Sequence, residues 1–176
     1  VINLKYHPNK VLNKVLNSSL LNYLFKIIFV GSYETISIRS KSDLRSFKLP
    51  KRYDVGFHKL SFIISDNIIS CFNKGLINDH WGLLPFLKGR STLLYSKLLG
   101  VEPVITNHLI DKNIDSGKIL CYTSLKKRNQ KFNIIFGLYK RIYNSVLLLS
   151  SNKFIEINNK DGLIFYEMHP YLKNKL

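Results

Sequence analysis

Two short polar runs carry side chains that could perform chemistry together. Asn78 and His80 form an Asn-x-His pair directly after a short apolar stretch, and Thr106, His108 and Asp115 follow further along the chain. An amide can donate to an oxygen that becomes negative in a tetrahedral intermediate, and a histidine can exchange a proton near neutral pH. A carboxylate close to that histidine orients it and supports its charged form. We therefore interpret the two runs as one site.

The sequence offers no nucleophile in a setting that would activate it. No serine stands in a Gly-x-Ser-x-Gly turn, and neither Cys71 nor Cys121 is suitably placed. The two cysteines lie far apart and have no ligand spacing with histidine, so we predict no metal site and no disulfide framework. The polar runs therefore favour direct transfer of an acyl group between two bound molecules.

The elements that must position these residues follow from the spacing of apolar side chains. Intervals of three and four residues predict a helix over 9–25 and a long helix over about 132–149. Ser65 is typical of the N-cap of a further helix that runs to about Lys74. Short apolar or alternating runs predict strands at 26–31, 35–39, 53–57, 76–77, 103–106 and 119–122.

Strands and helices alternate through residues 26–125, which predicts an α/β fold with an open, mostly parallel sheet and flanking helices. Ligands bind such sheets at the carboxyl ends of the strands, where Asn78 is predicted to emerge. Lys160, Asp161 and Gly162 separate two extended runs and predict a hairpin. We expect a catalytic core over residues 1–125 and a carboxyl-terminal extension of a helix and a hairpin over 126–176.

Composition limits the classes of partner. The chain has 176 residues, 45% of them hydrophobic, which is enough to bury a core and argues against disorder. Its net charge of +16 indicates either an anionic partner or a well-solvated lysine-rich surface. No recognisable nucleic-acid module accompanies the charge, so nucleic acid is possible but a small anionic ligand is favoured.

No stretch of the sequence predicts insertion in a membrane. The longest apolar run, Leu20 to Gly31, is interrupted by Asn22 and Lys26 and is too short to cross a bilayer. The start of the chain lacks the layout of a signal peptide. We therefore predict a cytoplasmic protein.

The polar runs resemble the signature of the 10-formyltetrahydrofolate-dependent formyltransferases. That signature orders Asn-x-His, Leu-Leu-Pro, a Gly or Gly-Arg, Thr-x-His and Asp-x-Gly. The corresponding segments here are Asn78-Asp79-His80, Leu83-Leu84-Pro85, Gly89-Arg90, Thr106-Asn107-His108 and Asp115-Ser116-Gly117. The resemblance spans roughly residues 53–122, and five pieces in the right order make it specific.

The resemblance implies a Rossmann-like fold and a mechanism. A substrate amine attacks the formyl carbon of 10-formyltetrahydrofolate, the formyl donor. Asn78 and protonated His80 stabilise the oxyanion, while Asp115 orients His80 and takes up the amine proton. Thr106 and His108 support these residues from behind. Only 77 residues precede Asn78, fewer than in the family, so the amino-terminal part is expected to be shortened.

The resemblance also implies where the folate binds. The segment before the site would present backbone groups and apolar side chains to the pterin ring, and a loop between His108 and Asp115 would close over its other edge. The predicted cofactor-binding residues are Ser61, Phe62, Ile63, Ile64, Asp111, Lys112 and Asn113, with Ile110 and Ile114 in the same loop. The histidines outside the signature, His7, His58 and His169, are interpreted as structural.

The acceptor amine is less well defined than the donor. His108 with Gly89-Arg90 looks like the branch that acts on amino sugars linked to nucleotides, in surface polysaccharide biosynthesis, and this is the leading hypothesis. Methionyl-tRNA and ribonucleotide formyltransferases remain alternatives, although no Gly-x-Gly phosphate loop is present. Alternatives from another class are a truncated, non-catalytic folate-binding module and a nucleic-acid-binding protein. The sequence does not indicate an oligomeric state.

Overall fold

The computed structural model describes residues 2–5, 34–37, 47, 49–58, 63–125 and 130–176. For residues 2–5, 34–37, 130–136 and 139 it describes the backbone alone. The chain divides into two compact units, Val1–Lys48 and Leu49–Leu176. The boundary at residue 125 that we expect from the sequence stays a prediction.

In the first unit, strands β1 (Ile2–Lys5) and β2 (Glu34–Ser37) pair in parallel, with Ile2 opposite Glu34. Strand β2 overlaps the predicted strand at 35–39. The predicted helix at 9–25 and strand at 26–31 lie outside the described residues.

The second unit is built on a four-stranded sheet with the order β3-β4-β6-β7. Its strands are β3 (Tyr53–His58), β4 (Phe72–His80), β6 (Val104–Leu109) and β7 (Ile119–Ser124). Strands β3 and β4 are parallel, whereas β6 runs antiparallel to both β4 and β7. The predicted α/β fold is confirmed, and this sheet is mixed in its pairing.

Four helices are described in the second unit. They are α1 (Asp66–Ile69), α2 (Thr92–Leu98), the long α3 (Gln130–Ser150) and α4 (Pro170–Lys173). Helix α3 packs on the sheet through Leu149, which joins Ile77 and Leu120 in a buried core. In the described part of the chain, no helix has both the length and the apolar character needed to cross a membrane.

The prediction that a helix continues to about Lys74 is wrong. Helix α1 ends at Ile69, and the chain is already extended in β4 from Phe72. Pairing explains the difference, because Phe72 lies opposite Tyr53 at the start of β3 and Gly75 takes the left-handed φ of +121° within the strand. The backbone hydrogen bonds of β3 therefore outweigh the local helical pattern.

The predicted hairpin around Gly162 does not form. Strand β8 (Leu163–Phe165) pairs in parallel with β5 (Leu87–Gly89). The residues before the turn form one isolated β-bridge to the main sheet, between Ile155 and Ile119. A Cβ at Gly162 would lie 1.9 Å from the carbonyl oxygen of Pro85. The glycine therefore allows close passage over the Pro85 segment and does not serve a tight turn.

Candidate active site

The antiparallel pairing of β4 with β6 brings the two polar runs face to face. Asn78 lies opposite His108, Asp79 opposite Asn107, and His80 opposite Thr106. Side chains alternate between the two faces of a strand, so Asn78 and His80 project to one face and Asp79 to the other. The two runs thus form a single cluster, on paired strands.

Asn78 sits in the middle of a row of three polar side chains that crosses the sheet. On one side, Nδ1 of His58 donates to the amide oxygen of Asn78 at 3.2 Å. On the other side, the amide nitrogen of Asn78 lies 3.2 Å from Nε2 of His108. The row follows from register, since His58 pairs with Asn78 and Asn78 with His108. Contacts at both ends fix which way the amide faces.

His80 is held between a backbone carbonyl and a carboxylate. Its Nε2 donates to the carbonyl oxygen of Leu87 at 2.7 Å, and its Nδ1 lies 3.4 Å from Oδ2 of Asp115. Only 6% of the His80 side chain is exposed, against 15% for Asp115. Because Nε2 must carry a hydrogen to reach the carbonyl, Nδ1 is the ring nitrogen at which a proton is gained or lost.

Asp115 collects contacts from three directions. Its Oδ2 accepts from the backbone N–H of Gly89 at 2.8 Å, and its Oδ1 lies 3.5 Å from Nε2 of His108. The Asp115 backbone takes a left-handed φ of 49°, which is uncommon for a residue with a Cβ. The amide nitrogen of Asn159 donates to the carbonyl oxygens of Asp115 at 3.0 Å and of Gly117 at 2.7 Å.

The surroundings of His80 and Asp115 lower the pKa of both groups, which leaves them in different charge states near neutral pH. Burial alone would raise the pKa of Asp115, but the neighbouring imidazoles of His108 and His80 and the Gly89 N–H together lower it to about 2. Burial lowers the pKa of His80 from its ordinary value, and the Asp115 carboxylate only partly opposes this. Near neutral pH, the cluster therefore holds an ionised carboxylate beside an imidazole that favours its neutral form, which differs from the protonated His80 that the resemblance implies.

On the opposite face of β4, Asp79 is clamped to helix α3. Its carboxylate accepts from Nε of Arg141 at 2.8 Å and from Nη2 at 3.0 Å, and also from the side-chain amide of Asn107 at 3.1 Å. The Asp79 side chain is fully buried and that of Arg141 is 4% exposed. This two-point ion pair fixes the residue that stands between Asn78 and His80.

Thr106 supports the turn that follows β4. Its hydroxyl donates to the carbonyl oxygen of Gly82 at 2.5 Å and accepts from the N–H of Leu84 at 3.3 Å. The Tyr122 hydroxyl donates to the carbonyl oxygen of Leu84 at 2.8 Å. A Cβ on Gly82 would come within 2.7 Å of Nε2 of His80, so this turn packs directly against the imidazole.

The predicted folate-binding residues lie in different settings. Ser61 and Phe62 are outside the described residues, Ile64 is buried and Ile63 is 80% exposed. In the loop after β6, Oδ1 of Asp111 accepts from the N–H of Asn113 at 2.9 Å and from the Ser116 hydroxyl at 2.7 Å. Lys112 and Asn113 are exposed. The role of each residue stays a prediction.

Three residues that contact the two polar runs have no signal in the sequence. His58 lies opposite Asn78 only because of the β3–β4 register, whereas Arg141 and Asn159 are distant in sequence and meet the site through tertiary packing. Among the described residues, no group of three or more His, Cys, Asp or Glu side chains is arranged to hold a metal ion.

The fold is that of formyltransferases of known structure. The formyltransferase PseJ from Anoxybacillus kamchatkensis, solved with UDP-4,6-dideoxy-4-formamido-L-AltNAc and tetrahydrofolate, superposes with a TM-score of 0.57 at 20% identity, over 94% of this chain and 84% of that one. Methionyl-tRNA formyltransferase from Clostridium thermocellum superposes with a TM-score of 0.59 at 20% identity, over 97% of this chain and 73% of that one.

Sequence comparison gives a shorter match. A segment of 59 residues is 36% identical to formyltetrahydrofolate deformylase 2, mitochondrial, from Arabidopsis thaliana. The match covers 33% of this chain and 18% of the length of that relative. No family model matches the sequence.

Proposed function

We propose that this protein transfers a formyl group from 10-formyltetrahydrofolate to the amine of a second substrate. The observation that carries the proposal is the convergence of Asn78, His80 and Asp115 in one cluster, on a sheet with the formyltransferase fold. When an amine attacks a formyl carbon, the reaction needs a donor to the oxyanion and an acceptor for the amine proton. An amide supplies the first, and an imidazole with a carboxylate supplies the second.

Asn78 is the proposed donor to the oxyanion. One hydrogen of its amide is directed at His108, and the second is left for a substrate oxygen. Because His58 holds the amide oxygen, the nitrogen is the atom that faces the developing charge. A donor fixed in advance stabilises a tetrahedral intermediate without having to reorganise during the reaction.

The His80–Asp115 pair is the proposed acceptor of the amine proton. With a pKa of about 2, Asp115 is ionised near neutral pH and is a weak base by itself. Neutral His80 has a lone pair on Nδ1, and the imidazolium formed there would be stabilised by the carboxylate 3.4 Å away. The two groups would share this proton and return it to the donor nitrogen of tetrahydrofolate as the tetrahedral intermediate collapses and the bond from the formyl carbon to that nitrogen breaks.

The residues near the site are compatible with a folate donor. Two apolar side chains from the segments predicted to flank the pterin, Ile63 and Ile114, are exposed, by 80% and 43%. A flat aromatic ring could cover apolar surface of this kind. The Asp111 carboxylate already bonds within its own loop, so we assign the loop's contribution to its shape and backbone groups.

For the acceptor we favour an amino sugar linked to a nucleotide. The net charge of +16 suits a diphosphate-bearing substrate, and PseJ, which shares the fold, was solved with a UDP-linked formamido sugar. Methionyl-tRNA and ribonucleotide acceptors remain alternatives. A cytoplasmic location, where such nucleotides are made, belongs to the same proposal.

Hydrolysis of 10-formyltetrahydrofolate is a second candidate, with water as the acceptor. The observation in its favour is the 36% identity to a formyltetrahydrofolate deformylase over 59 residues. The same three side chains would serve, since water attacking the formyl carbon also generates an oxyanion and releases a proton.

The test is an assay with 10-formyltetrahydrofolate and a panel of amino-sugar nucleotides, methionyl-tRNA and buffer alone. Formamide product that depends on one amine supports transfer, whereas formate release without any amine supports hydrolysis. Asn78→Ala is expected to lower turnover about a hundred- to a thousandfold, while the exposed Asn113→Ala serves as the matched control. Folate binding without either product would support the non-catalytic module and overturn both activities.

A further inference from the structure

The carboxyl-terminal segment contacts the candidate site through Asn159. This residue is 4% exposed although it lies between exposed neighbours, Asn158 and Lys160. Its amide nitrogen donates to the carbonyl oxygens of Asp115 and Gly117, at 3.0 and 2.7 Å. Both hydrogens of the Asn159 amide thus bind backbone carbonyls of the turn that carries the Asp115 carboxylate.

That turn needs an external hold for a physical reason. Asp115 adopts a left-handed φ of 49°, which a residue with a Cβ rarely keeps unless its surroundings impose it. The backbone at Gly117 passes close to the end of β6, since a Cβ there would lie 1.9 Å from the carbonyl oxygen of Leu109. The backbone of residues 115–117 is therefore confined from one side by β6 and from the other by Asn159.

Asn159 is itself anchored to the strand that contacts the Asp115 carboxylate. The ammonium group of Lys88, a buried residue, donates to the carbonyl oxygens of Asn159 at 2.5 Å and of Lys160 at 3.2 Å. The next residue, Gly89, supplies the N–H that binds Oδ2 of Asp115. Gly89 pairs with Phe165 of β8. The carboxyl-terminal segment therefore supports both contacts to Asp115, the Gly89 N–H on its carboxylate and the Asn159 amide on its backbone carbonyl.

We propose that Asn159 is a positioning residue that holds Asp115 in the geometry required for formyl transfer. The expected effect on formyl transfer rests on the proposed function. The expected effect on the position of Asp115 rests only on the contacts described above. Asn159 does not itself touch the reacting atoms. It acts through the backbone of Asp115, keeping the carboxylate within reach of His80, His108 and the Gly89 N–H.

The test compares Asn159→Ala with Asn158→Ala in the full chain. Asn158 is the matched control, because it is exposed and bonds locally to Asp161 and Lys160. The first readout is the pKa of the Asp115 carboxyl, followed by carbon-13 NMR. It is expected to rise from about 2 toward its ordinary value of 3.8 in Asn159→Ala and to stay unchanged in Asn158→Ala. His58, His80, His108 and Lys88 are the described titratable groups that interact electrostatically with this carboxyl.

The second readout is formyl transfer. We expect kcat to fall roughly ten- to a hundredfold in Asn159→Ala, with little change in KM, because misplacing a catalytic group slows the chemical step. Asn159→Ser, which retains one donor, covers the case in which the alanine variant does not fold and is expected to give smaller changes in the same direction. An Asp115 pKa that stays at the wild-type value in the folded variants overturns the inference. The NMR titration needs no turnover, so it remains decisive even if formyl transfer is disproved.

Discussion

Asp79 and Arg141 form a two-point ion pair that joins strand β4 to helix α3 directly behind the candidate site. The distances are 2.8 and 3.0 Å, and neither side chain is more than 4% exposed. Asp79 stands between Asn78 and His80 in the sequence, on the other face of the strand. The ion pair therefore fixes the strand from which both polar side chains project.

Replacing Arg141 by methionine is expected to lower the free energy of unfolding by about 3–5 kcal/mol. The substitution leaves the buried Asp79 carboxylate without its guanidinium, and an uncompensated buried charge is costly. Equilibrium denaturation in urea measures the change. Lys140→Met, an exposed substitution at the adjacent helix position, is the control and should change stability by less than about 0.5 kcal/mol.

The double variant Asp79→Leu/Arg141→Met separates charge from packing. If the loss in Arg141→Met comes from the charge of Asp79, removing that charge as well should restore a large part of the stability. A double variant that is less stable than either single one would show that packing of the two side chains dominates.

His58 is expected to control the orientation of the Asn78 amide. In His58→Leu the donor to the Asn78 oxygen is lost, and the amide is free to turn its oxygen toward the substrate. One neutral hydrogen bond corresponds to about 1 kcal/mol, so we expect kcat to fall roughly three- to tenfold. Steady-state kinetics measure this, and His58→Gln, which retains a donor, should recover most of the loss.

The exposed His169, at the start of α4, provides the comparison for His58. His169→Leu should leave kcat unchanged. Equal effects of leucine at the two positions would argue against a specific role of His58.

Asp115 should contribute stability that disappears in acid. Its pKa is about 2 in the folded protein against an ordinary value of 3.8, so the unfolded chain takes up this proton at the higher pH. The contribution, about 2 kcal/mol, is fully present above roughly pH 5 and is lost as the pH falls from about 4 to 2. The free energies of unfolding of the wild type and Asp115→Asn, measured across this range, should converge as the pH falls. A gap that stays constant from pH 6 to pH 2 would contradict the assignment.

Gly82→Ala is expected to displace His80. The added Cβ would lie 2.7 Å from both Nε2 of His80 and the carbonyl oxygen of Leu87, which are the donor and acceptor of one hydrogen bond. Overpacking of this kind costs about 1–3 kcal/mol, and we expect formyl transfer to fall by more than tenfold. Stability and turnover are measured on the same preparation.

Gly100→Ala separates lost stability from lost geometry. Its Cβ would meet no atom within 4 Å, but its φ of +66° disfavours alanine, at about 1 kcal/mol. This variant should lose stability while keeping its turnover. If Gly100→Ala lost as much activity as Gly82→Ala, instability alone would explain both results.

The sequence predicted the α/β class and a strand leading into each polar run, because both depend on local apolar spacing. It ended those strands at Ile77 and Thr106, whereas the pairing of β4 with β6 extends them through Asn78–His80 and Thr106–His108. It also named the polar side chains that the structure brings together, since their order resembles a known signature. The local spacing of apolar residues could not show which strands pair with each other. Gly162 looks like a hairpin glycine until β8 is seen to pair with β5, and Phe72 looks helical until it is seen opposite Tyr53.

The supporting residues were missed for the same reason. A lone buried histidine such as His58 has no sequence signal that separates a structural role from a site role. The contacts of Arg141 with Asp79 and of Asn159 with Asp115 close loops of 62 and 44 residues, so only the folded chain reveals them.

The ladder between β4 and β6 has an evolutionary consequence. The short connection between α2 and β6 contacts none of the site residues and can change length, but a single residue inserted within β4 or β6 would turn the side chains of that strand over. Asp79 would then point into the candidate site, while Asn78 and His80 would face the guanidinium of Arg141 in α3. Homologues of this chain should therefore vary in length between positions 99 and 103 and keep 78–80 and 106–108 free of insertions and deletions.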